Sequence, residues 1–208
     1  VLVKNSYDSL VRIQFVLSER EFDESKEAFA ALTSVIQDFK NARYQFWLED
    51  LNNKAKDNGL QLRLEKPLLR RLIDDHGSTA SKTGSEIVCN FDEDLISLFS
   101  EVSYWEKFQG EFSIPYVAHD LCNKKEQLRI MRENVMLVVR AYNDIVRDAN
   151  AEERRLFLDH IRKLDRRISQ GMTKLTWQNR GMIEIYVKDC CNHCHEVHSV
   201  VREFKDVK

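Results

Sequence analysis

The sequence predicts an all-α protein: an elongated bundle of long antiparallel helices with a small β-hairpin-like or irregular arm around 61–91. Three observations carry this. Breakers are scarce, with Pro only 2 and Gly only 6 among 208 residues, while Glu, Lys, Arg and Leu are plentiful. Apolar residues recur at threes and fours through four or five segments, the period of an amphipathic helix. One interval, 61–91, instead alternates or turns β-prone around a Gly/Ser/Thr-rich tract.

The elements follow in order. Phe22, Phe29, Leu32, Ile36 and Phe39 mark the first helix, and Trp47 with Leu51 extends it on a slightly rotated stripe. Gly59, after an Asn/Lys/Asp stretch, is expected to end it. Residues Gln61 to Leu69 alternate apolar and polar before and around Pro67, and Ile87 to Phe91 is β-prone, so a hairpin or irregular arm with a flexible tip is expected. Asp92 then caps a helix whose first turn holds Glu93 and Asp94, the charge that the helix dipole favours there. Leu95, Leu98, Val102 and Trp105 form its inner face, and Gly110 closes it. Pro115 starts the next helix, where its missing N–H costs nothing. Leu121, Leu128, Met131, Val135, Val138, Tyr142 and Ile145 make a near-heptad stripe; from Asp120 to Arg147 it would reach about 40 Å. A further helix runs from about Ala151 to Gln170 through Phe157, Ile161, Leu164 and Ile168, with Gly171 expected to stop it. The last begins near Arg180 and carries Ile183, Val187, Cys190, Cys194, Val197, Val201 and Phe204. These last segments predict an up-down-up bundle with shallow crossing angles. The expected division is 1–58, a long helical segment; 59–91, the arm, with a flexible loop over 75–85; and 92–208, the bundle.

Composition narrows the function classes. A formal net charge of −2 lacks the sustained basic surface of a nucleic-acid binder. No apolar run approaches the ~18 residues of a membrane span, so neither nucleic acid nor membrane is an expected partner. The chain starts at Val1 without an initiator Met or a signal-peptide pattern, which reads as an internal piece of a larger protein. Five irregularly spaced cysteines make a poor disulfide framework and fit a reducing, cytosolic or ciliary setting.

Three clusters invite a chemical reading, and in each the plainer one is stronger. Cys190, Cys191, His193, Cys194, His195 and His198 look like a zinc site, yet ligands spread over two turns of one helix cannot all converge. Cys190 and Cys194 fall on the apolar stripe, where a cysteine acts as a small hydrophobe. The tract Gly77 to Gly84, with Lys82 and Thr83, is similar to a phosphate loop but has Ser81 where the second glycine belongs. Arg154, Arg155, Arg162, Lys163, Arg166 and Arg167 are interleaved with Glu152, Glu153, Asp159 and Asp165, the pattern of a solvated helix face; a partner-facing polar surface stays open. No catalytic, cofactor-binding or metal-binding residue is assigned, no cofactor is expected, and partner-binding residues stay unknown. Trp105, Tyr116 and Trp177 near helix breaks could anchor a partner, but core or cap packing is the favoured reading.

Several segments together resemble the N-terminal tail region of dynein heavy chains. They are Lys66 to Leu69, the run from Val88 through Asn90, Phe91 and Asp92 to Trp105, Ile114-Pro115, Arg140 to Asn143, and Gly171 to Trp177. The resemblance spans about Tyr7 to Lys205. It departs at Gln178-Asn179, where the family pattern is closer to Asn-Ser, and in the tract Ser78 to Ser85. It implies a non-catalytic stem segment, an ATPase ring and microtubule-binding stalk lying far C-terminal of the tail, and binding to dynein intermediate chains, light chains and other heavy chains. It further implies attachment of a motor to its cargo, for axonemal members a doublet microtubule of the cilium or flagellum, with a lean to an outer arm. A spectrin-like tethering module and a small metal-dependent enzyme built on Cys190 to His198 remain as alternatives.

Overall fold

The chain is described by a computed structural model that covers residues 19–72, 85–149 and 151–207. It divides into two compact units, Val1–Lys56 and Asp57–Lys208. Among the described residues the architecture is all-α with a two-stranded antiparallel sheet. No described helix is long and apolar enough to cross a membrane.

The first unit's described part is one helix, α1 (Glu19–Ala55). Pairs one turn apart support it, including Arg20 with Glu24 at 2.9 Å and Lys54 with Asp50 at 2.6 Å. Burial follows the rotated stripe, at Tyr44, Trp47 and Leu51. Part of the stripe expected to be core is instead solvated, with Leu32 58% and Phe39 66% exposed, beside Val35 and Phe46.

Helix α1 stops before Gly59. Asp57 and Asn58 take left-handed backbone angles (φ 55° and 58°) in the 3-10 turn Lys56–Asn58, and Gly59 opens a new helix, α2 (Gly59–Leu62). Asp and Asn visit that region more readily than most residues, so no glycine was needed to turn the chain. A 3-10 turn, Arg63–Glu65, follows. The alternation in Gln61 to Leu69 is therefore helical at its start. Leu60, Leu64 and Leu68 are buried at spacings of four while Leu62 is exposed. Among the described residues the two strands are β1 (Leu69–Arg71) and β2 (Ile87–Cys89), in register Leu69↔Cys89, Arg70↔Val88 and Arg71↔Ile87. The loop expected over 75–85, with the Lys82 tract, lies outside the described residues except for Ser85.

Helix α3 (Glu93–Glu106) begins as expected: the Asp92 side chain accepts from the Asp94 N–H at 3.0 Å. At its end Trp105, Phe108 and Phe112 cluster, with Phe112 edge-on to the other two rings, and Gly110 (φ 87°) turns the chain. Pro115 precedes rather than enters α4 (Tyr116–Asn123): it is extended (ψ 141°), and its carbonyl accepts from the His119 N–H. The long helix expected from Asp120 is broken at Lys124, and α5 (Lys125–Asp148) carries the stripe from Leu128 to Ile145 in the core. The helix expected from Ala151 likewise splits into α6 (Ala151–Leu156) and α7 (Leu158–Thr173) at Phe157, whose ring meets Phe204 edge-on at 5.4 Å. The last helix is α8 (Arg180–Val207).

Helix α8 packs most extensively on α5 and also on α7. Lys205 donates to the carbonyl of Asp148 at 2.9 Å, so α5 and α8 end together and run parallel. Tyr186, near the start of α8, donates to the carbonyl of Ile168, near the end of α7, so α7 runs antiparallel to α8. The up-down-up order holds. Ile183, Val187, Cys190, Cys194, Val197 and Val201 all face inward.

Candidate functional site

The segments that carry the sequence signature lie up to about a hundred residues apart, and the fold brings residues of all but Ile114-Pro115 to one junction between the arm and the bundle. Its centre is the small sheet. On one edge, Leu68 N–H donates to the carbonyl of Leu175 at 3.1 Å and Pro67 bridges Thr176, so the segment after α7 adds a strand-like rung. Pro67 can sit there because an edge position asks it for no ladder N–H.

The other edge is closed by a side chain. The carboxamide of Asn143, on α5, accepts from Ile87 N–H and donates to Ile87 C=O, both at 2.9 Å. Asn143 imitates the backbone of a neighbouring strand and satisfies both outward groups of a residue that is fully buried. Tyr142, beside it, has 0% exposure, and its hydroxyl donates to Asp165 of α7. Arg71 of β1 completes the triad, reaching Asp165 at 3.1 Å, the Tyr142 hydroxyl at 3.2 Å and the Ser85 carbonyl at 2.7 Å. Burial first, then the neighbouring Asp165 carboxylate, hold the Tyr142 hydroxyl well above its ordinary pKa. It stays a neutral donor that joins α5, α7 and the sheet.

Asn90 and Trp177 fasten the outer end. Asn90 Nδ2 donates to the Pro67 carbonyl at 3.0 Å, and the Asn90 carbonyl accepts from Trp177 Nε1 at 3.1 Å. The Phe91 and Trp177 rings meet edge to face at 4.8 Å. Asn179 holds the turn by accepting from the N–H and hydroxyl of Thr176. Asp92 receives Arg63 at 2.9 Å and also Lys66, while capping α3. Burial alone would raise its carboxyl; Lys66, the Asp94 N–H and Arg63 outweigh that and hold it below the usual carboxylate range.

Gly171 was expected to stop α7, but the helix continues to Thr173, and the glycine serves packing. A Cβ there would lie 2.4 Å from the Tyr186 hydroxyl and 3.1 Å from Leu69 Cδ1. Only a glycine lets α7, α8 and β1 approach so closely.

The sequence-nominated clusters fare differently. Cys190 and Cys194 are buried on the α8 stripe, and burial pushes both thiols up to about 12, the behaviour of packed, unreactive cysteines. Among the described residues no three His, Cys, Asp or Glu side chains gather as metal ligands. Trp105 and Trp177 are core residues, 5% and 2% exposed, whereas Tyr116 stands 81% exposed. Sequence reasoning singled out Asn143 as part of the signature but gave it no role, missed Arg71, and read Asp165 as part of a solvated face, whereas it turns inward to Arg71 and Tyr142. Their pairing leaves no local signal, because the partners come from different elements.

The arrangement is a structural joint, and comparison with known proteins agrees with its signature. The model of the family described as dynein heavy chain, N-terminal region 1 matches residues 3–186. The chain is 32% identical over 182 residues, 88% of its length, to dynein axonemal heavy chain 2 of Homo sapiens, of which the match covers 4%. It is 37% identical over 124 residues, 59% of its length, to the dynein-1-beta heavy chain of the flagellar inner arm I1 complex of Chlamydomonas reinhardtii, covering 3% of that protein. Against the ciliary dynein beta chain of Heliocidaris crassispina it is 26% identical over 204 residues, 95% of its length and 4% of the relative's. The fold and this joint define a helical, arm-bearing module. The chain belongs to the dynein heavy chain N-terminal region 1 family and spans about 4% of the length of its curated relatives.

Proposed function

We propose that this chain is a non-catalytic segment of the tail, or stem, of an axonemal dynein heavy chain. In this reading it is a scaffold that contacts dynein intermediate chains, light chains and other heavy chains. It thereby helps attach a microtubule motor to the axonemal doublet of a cilium or flagellum. Residues 1–58, 59–91 and 92–208 are consecutive parts of one tail region.

The observation that carries this reading is the junction itself. Family membership rests on segments whose side chains spend their chemistry on joining the arm to α5, α7 and α8. Asn143, Tyr142, Asn90 and Trp177 all end in protein–protein hydrogen bonds. A force-bearing strut needs such a joint, because buried, fully paired polar contacts fix the angle between elements. The inner-arm name of the Chlamydomonas relative, the highest in identity of those described, favours an inner arm over the outer arm that the sequence suggested.

The test is an affinity pull-down from ciliary extract with the tagged, folded chain at two salt concentrations, read by mass spectrometry. Recovery of dynein intermediate, light or heavy chains is expected. A folded chain that retrieves none of them overturns the scaffold reading and brings the tethering module forward. The purified chain is expected to hydrolyse no ATP; hydrolysis abolished by Lys82→Ala would contradict the non-catalytic assignment.

A further inference from the structure

The basic cluster of α6 and α7 reads in sequence as a balanced, solvated face. The structure removes part of the balance. Asp165 turns inward to Arg71 and Tyr142, and its side chain is 12% exposed. Glu153 is 7% exposed and lies 3.7 Å from Lys205. Two of the four interleaved acids therefore do not offset the outer surface. Arg154 also leaves the cluster, donating to the carbonyls of Val146 and Ala149 at the end of α5.

Three of the remaining cations border a groove of about 690 Å³ between α7 and α8. Lys163, Arg166 and Arg167 stand along its α7 wall, and Leu164, Val197 and Val200 form an apolar floor. Arg167 is paired with Asp189 at 2.6 Å. Among the described residues neither Lys163 nor Arg166 has an ion-pair partner. Glu196 is the sole carboxylate lining the groove among the described residues, and it is directed 3.9 Å from His193 on its own helix. An apolar floor beside uncompensated cations selects a partner with the opposite arrangement.

We propose that the α7–α8 groove docks an acidic amphipathic segment of a partner protein. Its apolar side chains settle on Leu164, Val197 and Val200, and its carboxylates meet Lys163 and Arg166. The proposal deepens the scaffold reading by giving one partner surface its chemistry, but it stands on the groove's own residues.

The test is fluorescence anisotropy of the whole chain with two labelled synthetic peptides. One carries Leu at helical spacing with Glu between; the other has Lys for each Glu. The Glu peptide is expected to bind, with affinity falling as salt rises, and the Lys peptide is not. Lys163→Glu with Arg166→Glu should weaken the Glu peptide by at least about tenfold and admit the Lys peptide. Val200→Asp should weaken it as well, while Arg155→Glu, an exposed cation outside the groove, should not. Circular dichroism of each variant separates lost binding from lost fold. No binding of the Glu peptide, equal binding of both peptides, or indifference to the paired charge reversal would overturn the proposal. These results leave the pull-down untouched, and failure of the pull-down leaves them untouched, so the two readings fail separately.

Discussion

At the scale of single residues, Asn143 shows how one side chain can substitute for a strand. Asn143→Ala leaves the N–H and C=O of Ile87 buried without partners, at a cost of about 1–3 kcal/mol each. Chemical denaturation should show a loss of about 2–6 kcal/mol, far more than a typical surface change. Asp92 supplies a pH-dependent counterpart. Its folded pKa is depressed, so its stabilisation is complete above the ordinary carboxylate value of ~3.9 and is lost as pH falls through the lower folded value. Asp92→Asn should therefore flatten the stability–pH curve below about pH 4, measured by denaturant midpoints. Gly171→Ala sets a methyl group against the Tyr186 ring and should cost about 1–3 kcal/mol by overpacking, although alanine is the better helix former.

At the scale of elements, burial and helical periodicity part company. The two stripes of α1 are equally regular in sequence, yet Trp47 and Leu51 are buried while Leu32 and Phe39 are mostly solvated. Leu32→Ser should thus change stability by less than about 0.5 kcal/mol. Val135→Ala in α5, fully buried, should cost about 1–3 kcal/mol through lost contacts and a residual cavity. Paired thermal melts distinguish the two, and equal losses would mean that the α1 stripe is covered in solution. The breaks at Lys124 and Phe157 belong to this scale too. Neither is a glycine or proline, and Phe157 leaves helical geometry while its ring packs against Phe204.

At the scale of the molecule, the described residues after Asp57 are knitted by contacts between distant segments. Among the described residues the arm contributes two three-residue strands, too little to be stable alone. Its order comes from Asn143, Leu175 and Trp177. The arm should therefore open only when the bundle does. Native-state hydrogen exchange is expected to place the amides of Leu68 and Ile87 with those of Val135 and Val138 in the slowest class. Arm amides that exchange much faster than the bundle would show the joint to be loose. In Asn143→Ala the Ile87 amide alone should speed up first, because its acceptor is gone.

The sequence by itself determined the helical class, most of the inward stripes and the cap at Asp92. These follow from local periodicity and from a side chain bonding to a backbone two residues away. It also held the family signature, whose segments, Ile114-Pro115 apart, proved to be neighbours in space. What it could not determine were pairings between elements. The triad of Arg71, Tyr142 and Asp165, the Asn143 imitation of a strand and the close approach at Gly171 all depend on which helix lies against which. The same holds for the charge of α6 and α7: in sequence Glu153 and Asp165 balance their neighbours, and only packing turned both acids inward. Local spacing fixes which face a residue shares along its own helix, but long-range contact decides whether that face meets water or another chain segment.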